Sequence, residues 1–276
     1  MMEVRFATEA GPGRRVNEDT AFAVGSLVAV FDGVTQPIGL DTGCPHGPAW
    51  FVQRLAARLI EAYLALPTEP LQPLLASAIE AVRGDHGGGC DLNHPGTPAA
   101  SVAMLRDLGG RVEYLVLADV IAVLDQGGEM VVVADRRFEQ TIAGVRQAAL
   151  VPGATGTDDQ AARTRWATEQ KWLHTNQPGR YWIAAANPQA AYEAVTGLGC
   201  ANRVALLTDG ASCAVEPFGL LDWPDALDLL TVQGPAALIR RVREAERADL
   251  HGSVHPRYKR HDDATAAICL FDREER

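Results

Sequence analysis

The sequence has few cysteines, no long apolar segment and no excess of basic charge. Its five cysteines are scattered among 276 residues without a Cys-x-x-Cys pair, which favours reduced thiols over a disulfide framework. The apolar stretches 27–31 and 112–123 are bounded or interrupted by Ser, Glu or Asp, well short of the roughly 20 residues that a membrane helix needs. Lys and Arg number 25 against 35 Asp and Glu, a balance that argues against a nucleic-acid binder.

The sequence also lacks the marks of a secreted or disordered protein. No basic segment followed by an apolar stretch and a cleavage site opens the chain, so we expect a cytoplasmic protein without a membrane span. Hydrophobic residues make up 47% and charged residues 22%, which is typical of globular proteins. No repeat or low-complexity linker divides residues 1–276, and we therefore expect a single domain.

Hydrophobic periodicity predicts strands in runs, with helices clustered between the runs. The predicted strands are 3–8, 21–24, 27–31, 98–105, 112–123, 130–134, 181–185, 203–207 and 265–271. The predicted helices begin at 48 or span 71–83, 188–195, a segment around 226 and 236–248. This order favours an α+β class over the strict alternation of a doubly wound sheet. The segment of about 150–179, a loop followed by a polar helix, is interpreted as a flap or insertion.

Carboxylates stand at the ends of several predicted strands. Taken singly, each has an ordinary explanation, because Asp-Gly is a common turn signal and an acidic pair before a strand is usually solvated. Brought together, they would repel one another unless Mg²⁺ or Mn²⁺ neutralised them. The acidic positions are Glu18, Asp19, Asp32, Asp209, Asp262 and Asp263.

Six short blocks, in order, resemble the motifs of the protein phosphatase 2C (PPM) family of metal-dependent Ser/Thr phosphatases, in particular its bacterial members. They are GPGRRVNEDT at 11–20, VAVFDGV at 28–34, GTPAASVAML at 96–105, YLVLADV at 114–120, VALLTDGAS at 204–212 and DDATAAICLF at 262–271. The resemblance implies a four-layer αββα sandwich, in which two antiparallel β-sheets are flanked by helices. It also implies hydrolysis of phosphoserine and phosphothreonine in proteins by a water activated by two Mn²⁺ or Mg²⁺ ions.

The resemblance also assigns metal ligands. Asp32 is similar to the aspartate that bridges the two ions, and the backbone carbonyl of Gly33 to a further ligand. Asp19, Asp209 and Asp262 resemble the remaining ligands of the two ions. Asp119 corresponds to a ligand of a third, more loosely held ion.

Two residues resemble the family's substrate-side groups. Arg14 is similar to the arginine that grips the substrate phosphate, a task suited to a planar guanidinium, and Arg15 is the alternative one position away. Glu18 resembles the acid that holds a metal-bound water. With Asp32, these are the expected catalytic residues, and no Cys-x5-Arg phosphate loop accompanies them.

Three departures from the family pattern bear on activity. Val34 replaces a histidine proposed as general acid in eukaryotic members, and Val120 follows Asp119 where the family has serine. Cys213 stands where a second ligand of the third ion is expected, so we expect that ion to bind weakly or not at all. These departures keep two alternatives open: a pseudophosphatase that binds a protein partner, and a phosphatase of the same fold acting on a small phosphorylated molecule.

A second group of ligand types is present outside the acidic positions. Cys44, His46, His86, Cys90 and His94 are suited to Zn²⁺. Three glycines at 87–89 argue against a helix that would align the last three, so we expect a flexible loop and hold zinc as the alternative.

Basic residues precede the last acidic pair. His251, His255, Arg257, Lys259, Arg260 and His261 are interpreted as a solvated basic patch that could recruit a phosphorylated substrate.

Overall fold

The computed structural model describes residues 2–37, 39–151, 159–250, 252–255, 257 and 259–271. Its strands are β1 (Met2–Glu9), β2 (Asp19–Val24), β3 (Leu27–Gly33), β4 (Ala100–Asp107), β5 (Val112–Leu117), β6 (Ile121–Asp125), β7 (Met130–Ala134), β8 (Val195–Gly199), β9 (Arg203–Leu207) and β10 (Ala264–Phe271). Its helices are α1 (Pro48–Ala65), α2 (Leu71–Asp85), α3 (Arg136–Leu150), α4 (Gln160–Trp172), α5 (Gln189–Tyr192), α6 (Asp209–Ser212), α7 (Trp223–Gln233) and α8 (Pro235–Ala248).

The strands form two five-stranded sheets. One has the order β1-β10-β9-β6-β7 and the other β2-β3-β4-β5-β8, and every adjacent pair is antiparallel. No helix in the described part of the chain is both long and apolar enough to cross a membrane.

Three apolar layers hold the sheets and helices together. Leu27, Ala29 and Phe31 of β3 face the core beneath α1 and α2, whereas Val28 and Val30 face the core between the two sheets. Helices α7 and α8 cover the outer face of the other sheet. Because β3 is buried on both faces, its side chains are apolar without alternation. The predicted αββα sandwich is confirmed.

The apolar run 112–123 is two strands, not one. Strand β5 ends at Leu117 and β6 begins at Ile121 in the other sheet. Between them Ala118 has a φ of 66°, a left-handed conformation that reverses the chain. The run stays apolar across the turn because it passes from one buried sheet to the other.

Three further segments differ from the predictions. Residues 181–185 are not a strand, since single bridges at Tyr181 and Ala184 replace a ladder. Strand β8 occupies the end of the predicted helix 188–195 and continues beyond it. Helix α3, which was not predicted, begins where the Asp135 side chain accepts a hydrogen bond from the Arg137 backbone N–H.

The predicted flap of about 150–179 is described in part. Its polar helix is α4, which packs against α3, and residues 152–158 lie outside the described residues. Helix α3 lies over a small apolar cluster that includes Ala118 and Phe138. This places α3 and α4 beside the turn that carries Asp119.

Candidate metal centre

The two sheets bring four predicted ligands to one edge of the sandwich. Asp19, at the start of β2, pairs in register with Asp32, at the end of β3. Asp209 follows β9 and Asp262 precedes β10, and these two strands are neighbours in the other sheet. The Thr208 hydroxyl donates to Asp19 Oδ2 at 3.0 Å and thereby joins the two sheets.

Burial and mutual repulsion disfavour the charged forms of these carboxylates. Burial raises the pKa of Asp19 to about 8 and, with repulsion from Asp262 and Asp119, the pKa of Asp209 to about 7. Burial also raises the pKa of Asp32 well above its ordinary value, and Asp209, Asp19 and Asp262 raise it further. Clustered carboxylates with raised pKa values are what a site for divalent cations is expected to show before the cation binds.

One atom of the cluster tests whether a cation fits. Asp209 Oδ1 is buried and accepts no hydrogen bond from any described residue. A buried carboxylate oxygen without a donor is costly, and coordination to a hard cation would satisfy it. The donor set of aspartate oxygens therefore fits Mg²⁺ or Mn²⁺.

Gly33 lies where its backbone must pass close to a neighbouring segment. A Cβ at Gly33 would lie 2.5 Å from the Glu18 carbonyl oxygen, and the Gly33 N–H donates to that oxygen at 3.0 Å. Glycine is required here by space. The role of the Gly33 carbonyl as a ligand stays a prediction.

Arg14 and Glu18 lie together at the rim of the acidic cluster. Arg14 Nη1 donates to Glu18 Oε2 at 2.6 Å and to Asp263 Oδ2 at 3.3 Å. Its Nη2 donates to the Thr35 hydroxyl at 3.0 Å and lies 3.5 Å from Asp262 Oδ1. Arg15 is exposed, so Arg14 is the arginine of the pair that faces the cluster.

The interpretation of residues 251–261 as a solvated basic patch is wrong for Arg257, Lys259 and His261, whereas Arg260 is exposed and His251 lies outside the described residues. Lys259 is half-buried, with its Nζ 2.6 Å from Asp262 Oδ2. Arg257 lies 3.1 Å from Asp249, and His261 Nδ1 lies 2.8 Å from Glu246. Each of these side chains has an acidic partner: α8 or the residue after it supplies the partners of Arg257 and His261, and Asp262, just before β10, is the partner of Lys259.

The sequence contains two lysines, and both influence the acidic cluster. Burial opposes the charge of Lys259, but Asp262, Asp209 and Asp32 raise its pKa above the ordinary value. Burial, Arg146 and Lys259 lower the pKa of Lys171 to about 8, against the opposing effect of Asp119 and Asp209. Sequence analysis missed Lys171 as a neighbour of the cluster, since its position on α4 gave no motif signal.

The predicted third-ion position is occupied by a cation of the chain itself. Arg146 of α3 donates from Nη2 to Asp119 Oδ2 at 2.8 Å. Cys213 donates its thiol proton to the Gly210 carbonyl at 3.2 Å, and burial raises the pKa of this thiol. The structure thus adds Arg146 to Cys213 as a reason to expect weak binding of a third ion.

Comparison with known proteins bears on the fold. No protein-family model and no curated protein sequence matches the chain. The structure matches Mycobacterium tuberculosis serine/threonine phosphatase PstP/Ppp with a TM-score of 0.57 and 16% identity over 99% of both chains. It matches the PstP catalytic domain in complex with two manganese ions with a TM-score of 0.53 and 16% identity, over 98% of this chain and 97% of that one. It also matches the PPM Ser-Thr phosphatase MsPP from Mycobacterium smegmatis with a TM-score of 0.55 and 16% identity over 98% of both chains. The chain has the PPM phosphatase fold.

Within this phosphatase fold, two of the departures have structural surroundings that explain them. Val120 is fully buried among the side chains between the two sheets, so a serine there would need a hydrogen-bond partner inside the core. Val34 is 38% exposed at the rim, and its backbone N–H donates to the Ala99 carbonyl at 2.9 Å. Neither side chain offers or accepts a proton.

The phosphatase fold also brings together four of the five cysteine and histidine side chains considered for zinc. The ligand atoms of Cys44, His46, His86 and Cys90 lie within 4.8 Å of one another. The segment after α2 is non-helical, as its glycines indicate. His94 is separate, with its ring 5.5 Å from that of Trp172.

Proposed function

We propose that the chain is a metal-dependent phosphatase that hydrolyses phosphoserine or phosphothreonine in proteins with two Mn²⁺ or Mg²⁺ ions. The observation that carries this proposal is the convergence of Asp19, Asp32, Asp209 and Asp262 at one edge of a phosphatase fold, with Asp209 Oδ1 buried and unpartnered among the described residues. The solved PstP catalytic domain with the same fold was obtained with two manganese ions.

The aspartates and the Gly33 carbonyl would hold the two ions. When bound, such ions lower the pKa of a shared water and neutralise phosphoryl oxygens. Asp32 pairs in register with Asp19, and Asp209 and Asp262 help to raise its pKa; it would be the ligand that the two ions share.

Arg14 supplies the positive group at the rim. Its guanidinium is fixed by Glu18 and Thr35, which orients one edge of the planar fork beside the aspartates. A phosphate entering there could accept hydrogen bonds from Arg14 in place of the one that Asp263 now accepts, and could replace Asp262 as an ion-pair partner. Lys259 adds a second positive charge on the same side.

The test is turnover of a panel of phosphoserine and phosphothreonine peptides and of p-nitrophenyl phosphate. We expect hydrolysis that requires added Mn²⁺ or Mg²⁺ and disappears with chelator. Asp209→Asn should also lose this turnover. Asp225→Asn, which removes a charge at an exposed position of α7, is its control and should retain the turnover. Undiminished turnover in excess chelator, with metal content shown to be zero, would exclude the mechanism. Hydrolysis of small phosphate esters without any peptide turnover would favour a small-molecule substrate.

A pseudophosphatase is the second candidate, and a specific observation favours it. Arg14, Arg146 and Lys259 already form ion pairs with Glu18, Asp119 and Asp262 at 2.6 to 2.8 Å. Side-chain cations could balance the cluster in place of metal ions. Folded protein that binds Mn²⁺ weakly in calorimetry and hydrolyses none of the substrates would support this candidate over the enzyme.

A further inference from the structure

Two cysteine sulfurs and two histidine nitrogens converge at the open end of the α1–α2 helical hairpin. Cys44 Sγ lies 3.3 Å from His46 Nδ1 and 3.4 Å from His86 Nδ1. Cys90 Sγ lies 3.4 Å from each of the same two nitrogens. The two sulfurs are 2.7 Å apart.

Hydrogen bonding alone accounts poorly for this arrangement. Each thiol has one proton and is a weak donor, whereas each sulfur faces two imidazole nitrogens and the other sulfur. The two thiols and the two Nδ1 atoms together carry at most four protons, which cannot serve five close contacts. Loss of those protons and insertion of one cation would satisfy all four donor atoms together.

The donor set and spacing select zinc. Zn–S distances of about 2.3 Å and Zn–N distances of about 2.0–2.1 Å place the ligand atoms of a tetrahedral site roughly 3.3–3.8 Å apart. The four sulfur–nitrogen distances of 3.3 to 3.4 Å lie in this range, and the two sulfurs would separate by about 1 Å. Two thiolates with two imidazoles suit Zn²⁺ and not Mg²⁺ or Ca²⁺.

Trp50, in the first turn of α1, orients both imidazoles. Its ring stacks on His46 with centroids 3.9 Å apart and meets His86 edge-on at 4.8 Å. His86 is the C-cap of α2 and is buried. Both rings are therefore held with Nδ1 toward the sulfurs by packing that needs no ion.

The backbone also fixes the two ligand-bearing segments. The Asp91 N–H donates to the Gly43 carbonyl at 2.7 Å, next to Cys90 and Cys44. Gly43 has a φ of 68°, and a Cβ there would lie 2.5 Å from His94 Cβ. Only glycine permits this close approach of the segments.

From these contacts we propose that Cys44, His46, His86 and Cys90 bind one structural Zn²⁺ ion. The site would join the start of α1 to the end of α2. It would also anchor the segment between β3 and α1, which begins beside Asp32 and carries Thr35, the hydroxyl that contacts Arg14 and Glu18. The proposal is independent of the phosphatase activity, since its donors are separate from the aspartates.

Cobalt substitution in the full chain tests the proposal. Protein would be expressed in zinc-depleted medium with Co²⁺ and purified with a reductant that does not bind metal. We expect one tightly held Co²⁺ with the thiolate-to-metal charge-transfer band that carboxylate ligands cannot give. Native mass spectrometry of protein from ordinary medium should show one Zn²⁺ per chain.

Matched variants locate the ion. Cys44→Ser and Cys90→Ser should lose the charge-transfer band, whereas Cys200→Ser, at an exposed cysteine outside the cluster, and Asp209→Asn should retain it. If the serine variants fail to fold, the band and the zinc content of the unaltered chain still decide the matter. Absence of the band in reduced protein saturated with Co²⁺ would overturn the proposal, as would a Cys44–Cys90 disulfide in protein purified under reductant.

Discussion

The acidic cluster and the Cys/His cluster, defined as Cys44, His46, His86 and Cys90, are built in opposite ways. The acidic cluster draws its oxygens from segments near both ends of the chain, joined by two sheets, and contains Arg14 and Lys259 as counter-charges. The Cys/His cluster draws sulfur and nitrogen from two short segments at one end of a helical hairpin. Their donor atoms favour different metals, Mg²⁺ or Mn²⁺ at the first and Zn²⁺ at the second.

We expect the two clusters to differ in how readily a bound cation exchanges. Acidic side chains held beside lysine and arginine can keep their charge partly balanced when no ion is bound, so ions can enter and leave. At the Cys/His cluster two thiolates would bind Zn²⁺ strongly, and release of the ion would require a proton for each sulfur. We therefore expect exchangeable ions at the acidic cluster and a permanently held ion at the Cys/His cluster.

The largest expected effect is a loss of turnover at the acidic cluster that leaves the Cys/His cluster unchanged. Asp209→Asn should lower phosphatase turnover by more than about 100-fold, since altering even a residue that supports a ligand costs 10- to 100-fold. The same variant should retain its full zinc content, because Asp209 is not among the four donors. Steady-state kinetics and elemental analysis of one preparation measure both effects, with Asp225→Asn as the control. Near-normal turnover would exclude Asp209 as a ligand.

The acidic cluster could be predicted from sequence because its blocks occur in a fixed order along the chain. Strand ends placed Asp32 and Asp209 correctly, and the antiparallel sheets followed from the resemblance. Lys259 was identified as basic but was assigned to solvent, since the sequence does not reveal the direction of a side chain in an irregular segment. Its ion pair with Asp262 required coordinates.

The Cys/His cluster could not be decided from sequence, for a physical reason. Its members are separated by the whole α1–α2 hairpin, and their proximity depends on the antiparallel packing of the two helices. The glycines after His86 correctly indicated a loop, but a loop can be fixed by backbone hydrogen bonds such as Asp91 to Gly43. Nor did periodicity reveal the break at Ala118, where both flanking strands are apolar.

A second prediction concerns pH and the metal-free acidic cluster. Folding raises the pKa of Asp19 to about 8 and the pKa of Asp209 to about 7. In the unfolded chain, an aspartate has a pKa of about 3.9. The folded state therefore binds more protons between these values, and its stability should fall as pH rises from about 5 to about 8.

Thermal unfolding with and without added Mn²⁺ measures this slope. Mn²⁺ should restore stability most at the alkaline end, where it replaces the lost protons. Asp209→Asn, which has no carboxyl proton to lose, should flatten the metal-free slope. A metal-free protein that becomes steadily more stable from pH 5 to pH 8 would contradict the assignment of raised pKa values.

A third, smaller effect is expected at Asp119. Arg146→Gln removes the cation that pairs with Asp119 at 2.8 Å, and Cys213→Asp adds an oxygen ligand. Together these changes should tighten the binding of an additional Mn²⁺ ion by roughly tenfold. The Arg146–Asp119 ion pair is half-buried, so its free energy should lie between that of an exposed pair, up to about 1 kcal/mol, and that of a buried pair, several kcal/mol.

Titration calorimetry of the single and double variants measures this effect. Arg136→Gln, at an exposed position of the same helix, is the control. If the unaltered chain already binds three ions with similar affinity, neither Arg146 nor Cys213 limits the third site.

The smallest effect is expected at Ala118, and Gly43 provides the contrast in backbone conformation. Beside Asp119, Ala118 has a φ of 66°, whereas beside Cys44 the corresponding conformation belongs to Gly43. Ala118→Gly should relieve about 1–2 kcal/mol of left-handed strain. The same substitution removes a buried methyl group, which should lower the free energy of unfolding by about 0.8 kcal/mol. Glycine also gives the unfolded chain more freedom, which should lower it by about 0.4–1 kcal/mol more.

These terms nearly cancel, so urea unfolding of Ala118→Gly should give a free energy within about 0.5 kcal/mol of the unaltered chain. Gly43→Ala has no compensating gain, because its Cβ would lie 2.5 Å from His94 Cβ, and it should destabilise the fold by about 2 kcal/mol or more. Equal costs for the two substitutions would contradict the view that Ala118 carries strain that Gly43 avoids. A stabilisation above about 1 kcal/mol in Ala118→Gly would show instead that the Ala118 methyl contributes less to packing than its burial indicates.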